Sequence, residues 1–251
     1  DRLRSRGLGD VYKRQVLLRR FTLSVGVLAN YNSALNEGIH FYPGIDASYR
    51  IGDNFRLYGS WNRALRMPTF TDLYYEGKTN KGNPDLKPEE SEAFEVGLKY
   101  NTYFLRAHIA GFYRKGKNMI DWVKEKPEDI WESQNLTKVD NLGFETNLSL
   151  LPRELGNERF FIRKIELGYA FIHQDKDSEG YISNYALDYL KHKFTAQLSH
   201  SIWKGFSATW YVRWQDRAGS YTKYENLKPA YEEPYAPYCF CLLYTSPSPR
   251  D

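Results

Sequence analysis

Apolar side chains recur at every second position along nine stretches of this chain, and that period limits what it can fold into. From Phe21 the odd positions read Phe21, Leu23, Val25, Val27, Ala29 and Tyr31, with Thr22, Ser24, Gly26, Leu28 and Asn30 between them. Ile45, Ala47, Tyr49 and Ile51 alternate with Asp46, Ser48 and Arg50, and Phe55, Leu57, Gly59 and Trp61 with Arg56, Tyr58, Ser60 and Asn62. Phe94, Val96, Leu98 and Tyr100 alternate with Glu95, Gly97 and Lys99. Further stretches lie near 103–114, 139–150, 160–173, 191–202 and 206–215. A period of two places successive side chains on opposite faces of an extended strand. The expectation is an all-β chain of about nine strands, each roughly 9–12 residues long and apolar on one face, a length that crosses a bilayer when tilted.

The connections carry a second regularity. They run long (32–41), short (52–54), long (64–91), short (101–102), long (115–137), medium (151–159), long (174–190), short (203–205) and long (from 216). A transmembrane barrel gathers tight turns at one rim and long loops at the other. A soluble sandwich mixes its loop lengths without that order. The fold class expected is therefore an antiparallel meander from a transmembrane β-barrel, open because incomplete, with no helix beyond about two turns and no parallel neighbours.

Aromatic residues, 16% of the chain, support the same orientation. Tyr31, Trp61, Phe94, Tyr113 and Trp214 fall near long loops, and Phe21, Phe55, Tyr100, Tyr103 and Phe206 near short turns. Rings suit the two water–lipid boundaries. The polar stretch GNPDLKPEE, Gly82–Glu90, has prolines that lack ladder donors, so it reads as an outer loop, and SEAFEVGLKY returns from it through the membrane.

Mean hydropathy is low, at −0.66. No apolar run approaches the roughly 18 residues that a membrane helix needs, and neither observation excludes a barrel, which faces lipid with only alternate residues. The two ends read differently from the rest. GLGDVYKRQ (Gly7–Gln15) and CLLYTSPSPRD (Cys241–Asp251) resemble translated adapter sequence, so residues 1–15 and 239–251 are expected to be non-native tails around a body of 16–238. The first tail holds five basic residues against two acidic ones, and the second holds one of each. Most of the net charge of +4 thus sits in the ends, and nucleic acid is not an expected partner. Both cysteines, Cys239 and Cys241, also fall in a tail, so neither disulfides nor thiolate metal sites are expected in the body.

NRALRMPTFTDLYY followed by GNPDLKPEESEAFEVGLKY (Asn62–Tyr100) closely resembles the barrel of TonB-dependent outer-membrane receptors. FYRKGKNMIDWV (Phe112–Val123) is similar to the next hairpin of that family, and Gly180–Arg217 to its later strands. The similarity covers most of residues 18–238 and is nearest to vitamin B12 receptor-like and siderophore receptor-like members. It implies a barrel of roughly 22 strands plugged by an N-terminal domain. It also implies ligand capture by outer loops, energy delivered through the TonB complex, and a bacterial outer-membrane location. On this reading the chain is a piece of the C-terminal half of the barrel, without the plug through which TonB would act and not competent for transport alone. The partners implied are outer-membrane lipid and a small nutrient, either cobalamin or an iron chelate; no cofactor is implied.

No catalytic constellation is visible. His40, His108, His173, His192 and His200 lack metal-ligand spacing, and there is no P-loop or GxGxxG. The candidate ligand contacts are outer-loop aromatics, Tyr74, Tyr75, Trp122, Trp131, Tyr181 and Tyr185, whose flat rings offer contact area at low entropy cost. Asp175 and Asp177 in DKDSEG resemble the start of a calcium loop but lack its distal glutamate. Arg56, Glu95, Lys99, Arg106 and Arg114 should face the lumen. The competing reading is an all-β carbohydrate-binding surface module, which would cluster exposed aromatics on one face and be polar elsewhere. A barrel enzyme is weaker still, because the strands offer no nucleophile or carboxylate pair.

Overall fold

The alternating stretches become strands in a computed structural model that describes residues 5–18, 20–32, 39–126, 128–156, 160–177, 180–183, 189–203, 205–225 and 228–247. In chain order these are β1 (Ser5–Leu18), β2 (Phe21–Asn32), β3 (Ile39–Ile51), β4 (Phe55–Arg66), β5 (Asn80–Lys81), β6 (Glu89–Asn101), β7 (Leu105–Lys124), β8 (Trp131–Leu150), β9 (Ile162–Asp177), β10 (Ile182–Ser183), β11 (Leu190–Trp203), β12 (Phe206–Arg217), β13 (Ser220–Glu225), β14 (Lys228–Pro234) and β15 (Tyr238–Pro247). One short helix, α1 (Phe70–Tyr74), and a 3-10 turn, Pro152–Leu155, interrupt them. The main sheet follows the chain as β1-β2-β3-β4-β6-β7-β8-β9-β11-β12-β15, while β13 and β14 form a separate hairpin. The nine expected strands are β2, β3, β4, β6, β7, β8, β9, β11 and β12. Beyond these nine, β1 beside β2 and β15 beside β12 extend the sheet.

Two expectations are corrected. Parallel pairing does occur: β5 pairs parallel with β8, Asn80 opposite Trp131 and Lys81 opposite Glu132. It spans only two residues and joins a loop to a strand, so the chain needs no crossover to make it. Second, β7 and β8 are each 20 residues long, and most of the expected loop 115–137 is strand. At about 3.3 Å per residue such a strand runs about 66 Å, whereas roughly 9–11 tilted residues suffice to cross the hydrocarbon. The excess stands clear of it. There both faces meet water or other loops, the period-two signal fades, and the sequence reads as a loop.

The chain falls into two compact units. The first comprises Asp1–Val96, Phe112–Asn141 and Asp175–Tyr185, and the second Gly97–Gly111, Leu142–Gln174 and Ala186–Asp251. In the first, the rows Phe21–Tyr49–Leu57, Leu23–Ala47–Gly59 and Val25–Ile45–Trp61 cross β2, β3 and β4. Directly opposed residues share a face. Val96 joins them, since a Cβ on Gly59 would meet its Cγ2 at 3.7 Å. In the second, Leu167–Ala196–Val212 and Ile165–Leu198–Trp210 form the same kind of row. Val25, Ile45, Leu57, Val96, Ile109 and Leu167 are exposed, Val96 to 64%, and Leu23, Leu98, Leu198 and Val212 are half-buried. An apolar face this open suits lipid better than a dry core.

The opposite face is polar. In the first unit Glu95 accepts the Tyr58 hydroxyl at 2.7 Å. In the second, Lys99, Arg106, His108, Glu166, Thr195, Gln197 and Tyr211 line a cavity of about 330 Å³. In the tight turns after β3 and β11, Gly52 and Gly205 adopt φ of 63° and 87°, conformations that L side chains resist.

Candidate functional site

The loop ends of β4, β6, β7, β8 and β9 gather in the first unit, and the polar loops of the sequence are pinned there. α1 begins with a capping box. The Asp72 N–H donates to Thr69 Oγ1 at 3.2 Å, and the Thr69 N–H donates to Asp72 Oδ2 at 3.0 Å. The Asp72 carbonyl then accepts the Asn83 N–H at 2.9 Å and the Ser133 hydroxyl at 2.5 Å. Gly82 lies against the helix's C-terminal end. A Cβ there would sit 2.8–2.9 Å from backbone atoms of Leu73, Tyr74 and Tyr75. The turn that presents Tyr74 and Tyr75 is thus held by its own cap, by β8 and by the GNPDLKPEE loop.

That loop is fastened in turn. Leu86 is buried. The Asn135 side chain accepts the Lys87 N–H at 2.8 Å and donates to the carbonyls of Lys87 at 3.0 Å and Asn118 at 2.6 Å. Glu89, also buried, accepts the Arg66 Nε–H at 2.5 Å, a second bond from Arg66 Nη2, and the Ile120 N–H at 2.8 Å. Arg66 Nη1 reaches within 3.9 Å of Asp72. One ion-pair network therefore ties β4, α1, β6 and β7.

On β7 the alternation breaks at Asp121–Trp122–Val123, three buried residues in succession. The added strand β10 explains part of this, because Ile182 and Ser183 pair with Lys124 and Val123. Ser183 Oγ donates to the Asp121 carboxylate, which also accepts the Trp122 N–H at 2.7 Å. Lys176 Nζ lies 3.9 Å from that carboxylate, with its side chain 5% exposed and no hydrogen-bond acceptor among the described residues. It sits at the loop end of β9, past Phe171, the last ring of the apolar face. Burial pushes its pKa below that of an ordinary lysine, and Asp121 opposes the shift.

The candidate ligand residues divide accordingly. Tyr74 and Tyr75 are exposed, with Phe70 5.6 Å from the Tyr74 ring. Trp122 and Trp131 were expected on a loop but lie on β7 and β8. Trp122 is 8% exposed and meets Tyr75 edge-on at 6.3 Å, so it supports the exposed ring from below. Trp131 carries Lys124 Nζ 4.6 Å above its ring. Tyr181 is half-buried, and Asp175 is exposed. Tyr185 and the side chain of Asp177 lie outside the described residues. Among the described residues no three His, Cys, Asp or Glu side chains gather around a possible metal position. Asp72, Glu89, Asp121, Ser133, Asn135 and Lys176 were missed as organising residues. Only the T-x-x-D spacing of Thr69 and Asp72 could have announced one of them. The arrangement presents the exposed rings of Tyr74 and Tyr75 on a hydrogen-bonded polar frame.

Comparison with known proteins agrees with this geometry. Residues 18–238 match the family described as TonB dependent receptor-like, beta-barrel. The vitamin B12 transporter BtuB of Vibrio vulnificus is 27% identical over 178 residues, covering 56% of this chain and 28% of that protein. The iron-regulated outer membrane virulence protein of Vibrio cholerae is 26% identical over 212 residues, covering 76% and 31%. The chain thus spans about 28–31% of the length of these relatives. The ferric enterobactin receptor PfeA of Pseudomonas aeruginosa superposes with a TM-score of 0.71 at 18% identity, covering 96% of this chain and 37% of that one. The siderophore receptor PirA of Acinetobacter baumannii gives 0.70 at 16%, covering 96% and 39%. With its matched barrel strands, its lipid-type face and its pinned outer loops, the chain belongs to the TonB-dependent receptors of the bacterial outer membrane.

Proposed function

We propose that these strands work within a larger receptor that takes up a scarce nutrient, cobalamin or a ferric siderophore, across the outer membrane, using energy delivered through a plug domain and TonB. The observation that carries the reading is the family match over residues 18–238. The names of the relatives supply the two substrate classes. On this reading the 251 residues alone do not transport. Residues 1–15 and 239–251 lie outside the working barrel, in keeping with a match that runs from 18 to 238. Tyr74 and Tyr75 are the contacts best placed to meet a ligand. They are exposed, and the Thr69–Asp72 cap, Gly82 and buried Trp122 fix them, so little entropy is lost on binding. Tyr181 and Tyr185, from the chain between β9 and β11, are secondary contacts.

The test is uptake in cells that lack their own receptors and carry the complete receptor containing these strands. Radiolabelled cobalamin and a radio-iron siderophore are supplied, with and without TonB. The expected result is TonB-dependent accumulation of one of the two, reduced about tenfold by Tyr74→Ala with Tyr75→Ala, the equivalent of ~1.4 kcal/mol. Accumulation of neither nutrient, combined with binding of the purified protein to glycans, would replace this reading with a carbohydrate-binding one.

A further inference from the structure

At the tight-turn end of the second unit two guanidinium groups converge on one hydroxyl. Arg153, from the 3-10 turn, donates through Nη2 to Ser201 Oγ at 2.7 Å and through Nε to the Phe160 carbonyl at 2.9 Å. Arg163, near the start of β9, donates through Nε to the same Ser201 Oγ at 3.0 Å. The register explains the convergence. β11 pairs Ser199 with Lys164 and His200 with Ile162, which leaves Arg163 as the extra residue of a bulge. The Ser201 N–H donates to the Phe161 carbonyl at 2.7 Å and so holds the hydroxyl between the two cations.

This arrangement is incomplete as it stands. A serine oxygen has two acceptor sites, and both are taken by the guanidiniums. The hydroxyl proton and the outer N–H groups of both arginines remain as donors. The ion pairs among the described residues involve other side chains, so neither guanidinium has a carboxylate of a described residue within 4.0 Å. Two like charges held together with donors to spare fit an anion, and planar guanidinium forks match the oxygens of a phosphate. The surroundings say what kind. Leu155, Phe160, Phe161, Ile202 and Trp203 are exposed beside the pair, Trp203 to 79%. A free inorganic ion has no use for such a collar, whereas a lipid has acyl chains to lay along it.

We propose that Arg153, Arg163 and Ser201 form a binding site for the phosphate of an anionic phospholipid, whose chains pack against Phe161, Ile202 and Trp203. The site anchors the periplasmic end of β9 and β11 in the inner leaflet. It is independent of the nutrient reading, because it shares no residue with the loop cluster around Tyr74 and Tyr75.

The test uses the full chain in a neutral maltoside detergent, incubated with equal amounts of phosphatidylglycerol and phosphatidylcholine of identical acyl chains. Lipid retained through gel filtration is weighed by mass spectrometry. The expected result is about tenfold enrichment of phosphatidylglycerol, falling to parity in Arg153→Gln with Arg163→Gln and reduced in Ser201→Ala. Millimolar inorganic phosphate should displace no more lipid than chloride of equal ionic strength. Parity in the parent protein overturns the proposal, and so does an enrichment that survives the double substitution. Displacement by inorganic phosphate alone assigns the site to the free ion instead. Should the double variant fail to fold, the parent comparison and Ser201→Ala still decide.

Discussion

Removing the Glu89 carboxylate tests whether buried charge, rather than loop composition, holds the outer rim. Glu89 is 6% exposed and accepts three hydrogen bonds, two from Arg66 and one from the Ile120 N–H. The Arg66 side chain is 50% exposed, so water replaces much of what it loses, and its two bonds together contribute about 0.5–1 kcal/mol. An Ile120 N–H left unpaired within the rim costs about 1–2 kcal/mol. The buried methylenes of Glu89 add about 0.5–1 kcal/mol. Glu89→Ala should therefore destabilise the chain by about 2–4 kcal/mol. Glu89→Gln keeps one acceptor oxygen, enough for Ile120 and one Arg66 bond, and should cost about 1 kcal/mol. Urea unfolding of the full chain in detergent micelles, followed by tryptophan emission and circular dichroism, measures both, and Arg66→Ala/Glu89→Ala closes the cycle. A Glu89→Ala protein within about 0.5 kcal/mol of the parent would refute the reasoning, as would a glutamine variant as unstable as the alanine one.

Gly82→Ala should destabilise by about 1–3 kcal/mol and displace α1, because the new methyl meets backbone that no rotamer change can move; a crystal structure with α1 unmoved would contradict this. Asn135→Ala breaks three hydrogen bonds and should cost about 1–2 kcal/mol in the same urea assay, with faster proteolysis within Gly82–Glu90; an unchanged cleavage rate would count against the brace. Lys176 has a pKa below the ordinary 10.5, so between the lowered value and 10.5 the unfolded chain binds more protons than the folded one, and stability should rise with pH across that window. Lys176→Met should remove that rise as the pH approaches 10.5 from below, and identical slopes for parent and variant would argue that the lysine is not desolvated.

What could be read from the sequence was whatever faces lipid. The rows through Leu23, Ile45 and Leu57, or through Leu167, Ala196 and Val212, are visible because lipid demands an apolar residue at every second position and the lumen demands a polar one. Tight turns were visible through Gly52 and Gly205. Above the membrane that pressure ends. Residues 114–124 and 131–140 belong to β7 and β8, but polar runs such as RKGKN hide the alternation, so they pass for a loop. The site was half visible for a related reason. Tyr74 and Tyr75 stand out as aromatics in a polar loop, but Asp121, Ser133 and Lys176 look like solvated residues until tertiary pairing buries them. Trp122 was misplaced because a ring in a polar stretch gives no sign of whether it meets ligand or supports another ring.

The central claim is that alternate residues of one strand face lipid and lumen, and spin-label accessibility along β6 tests it most directly. With Cys239 and Cys241 replaced by serine, single cysteines at positions 94 to 99 are labelled in the full chain reconstituted into vesicles. Collision with oxygen, which dissolves in lipid, is compared with collision with a neutral nickel chelate, which stays in water. The account predicts a period of two, with oxygen dominating at Phe94, Val96 and Leu98 and the chelate at Glu95, Gly97 and Lys99. Accessibility without that period, or with the opposite phase, would contradict it.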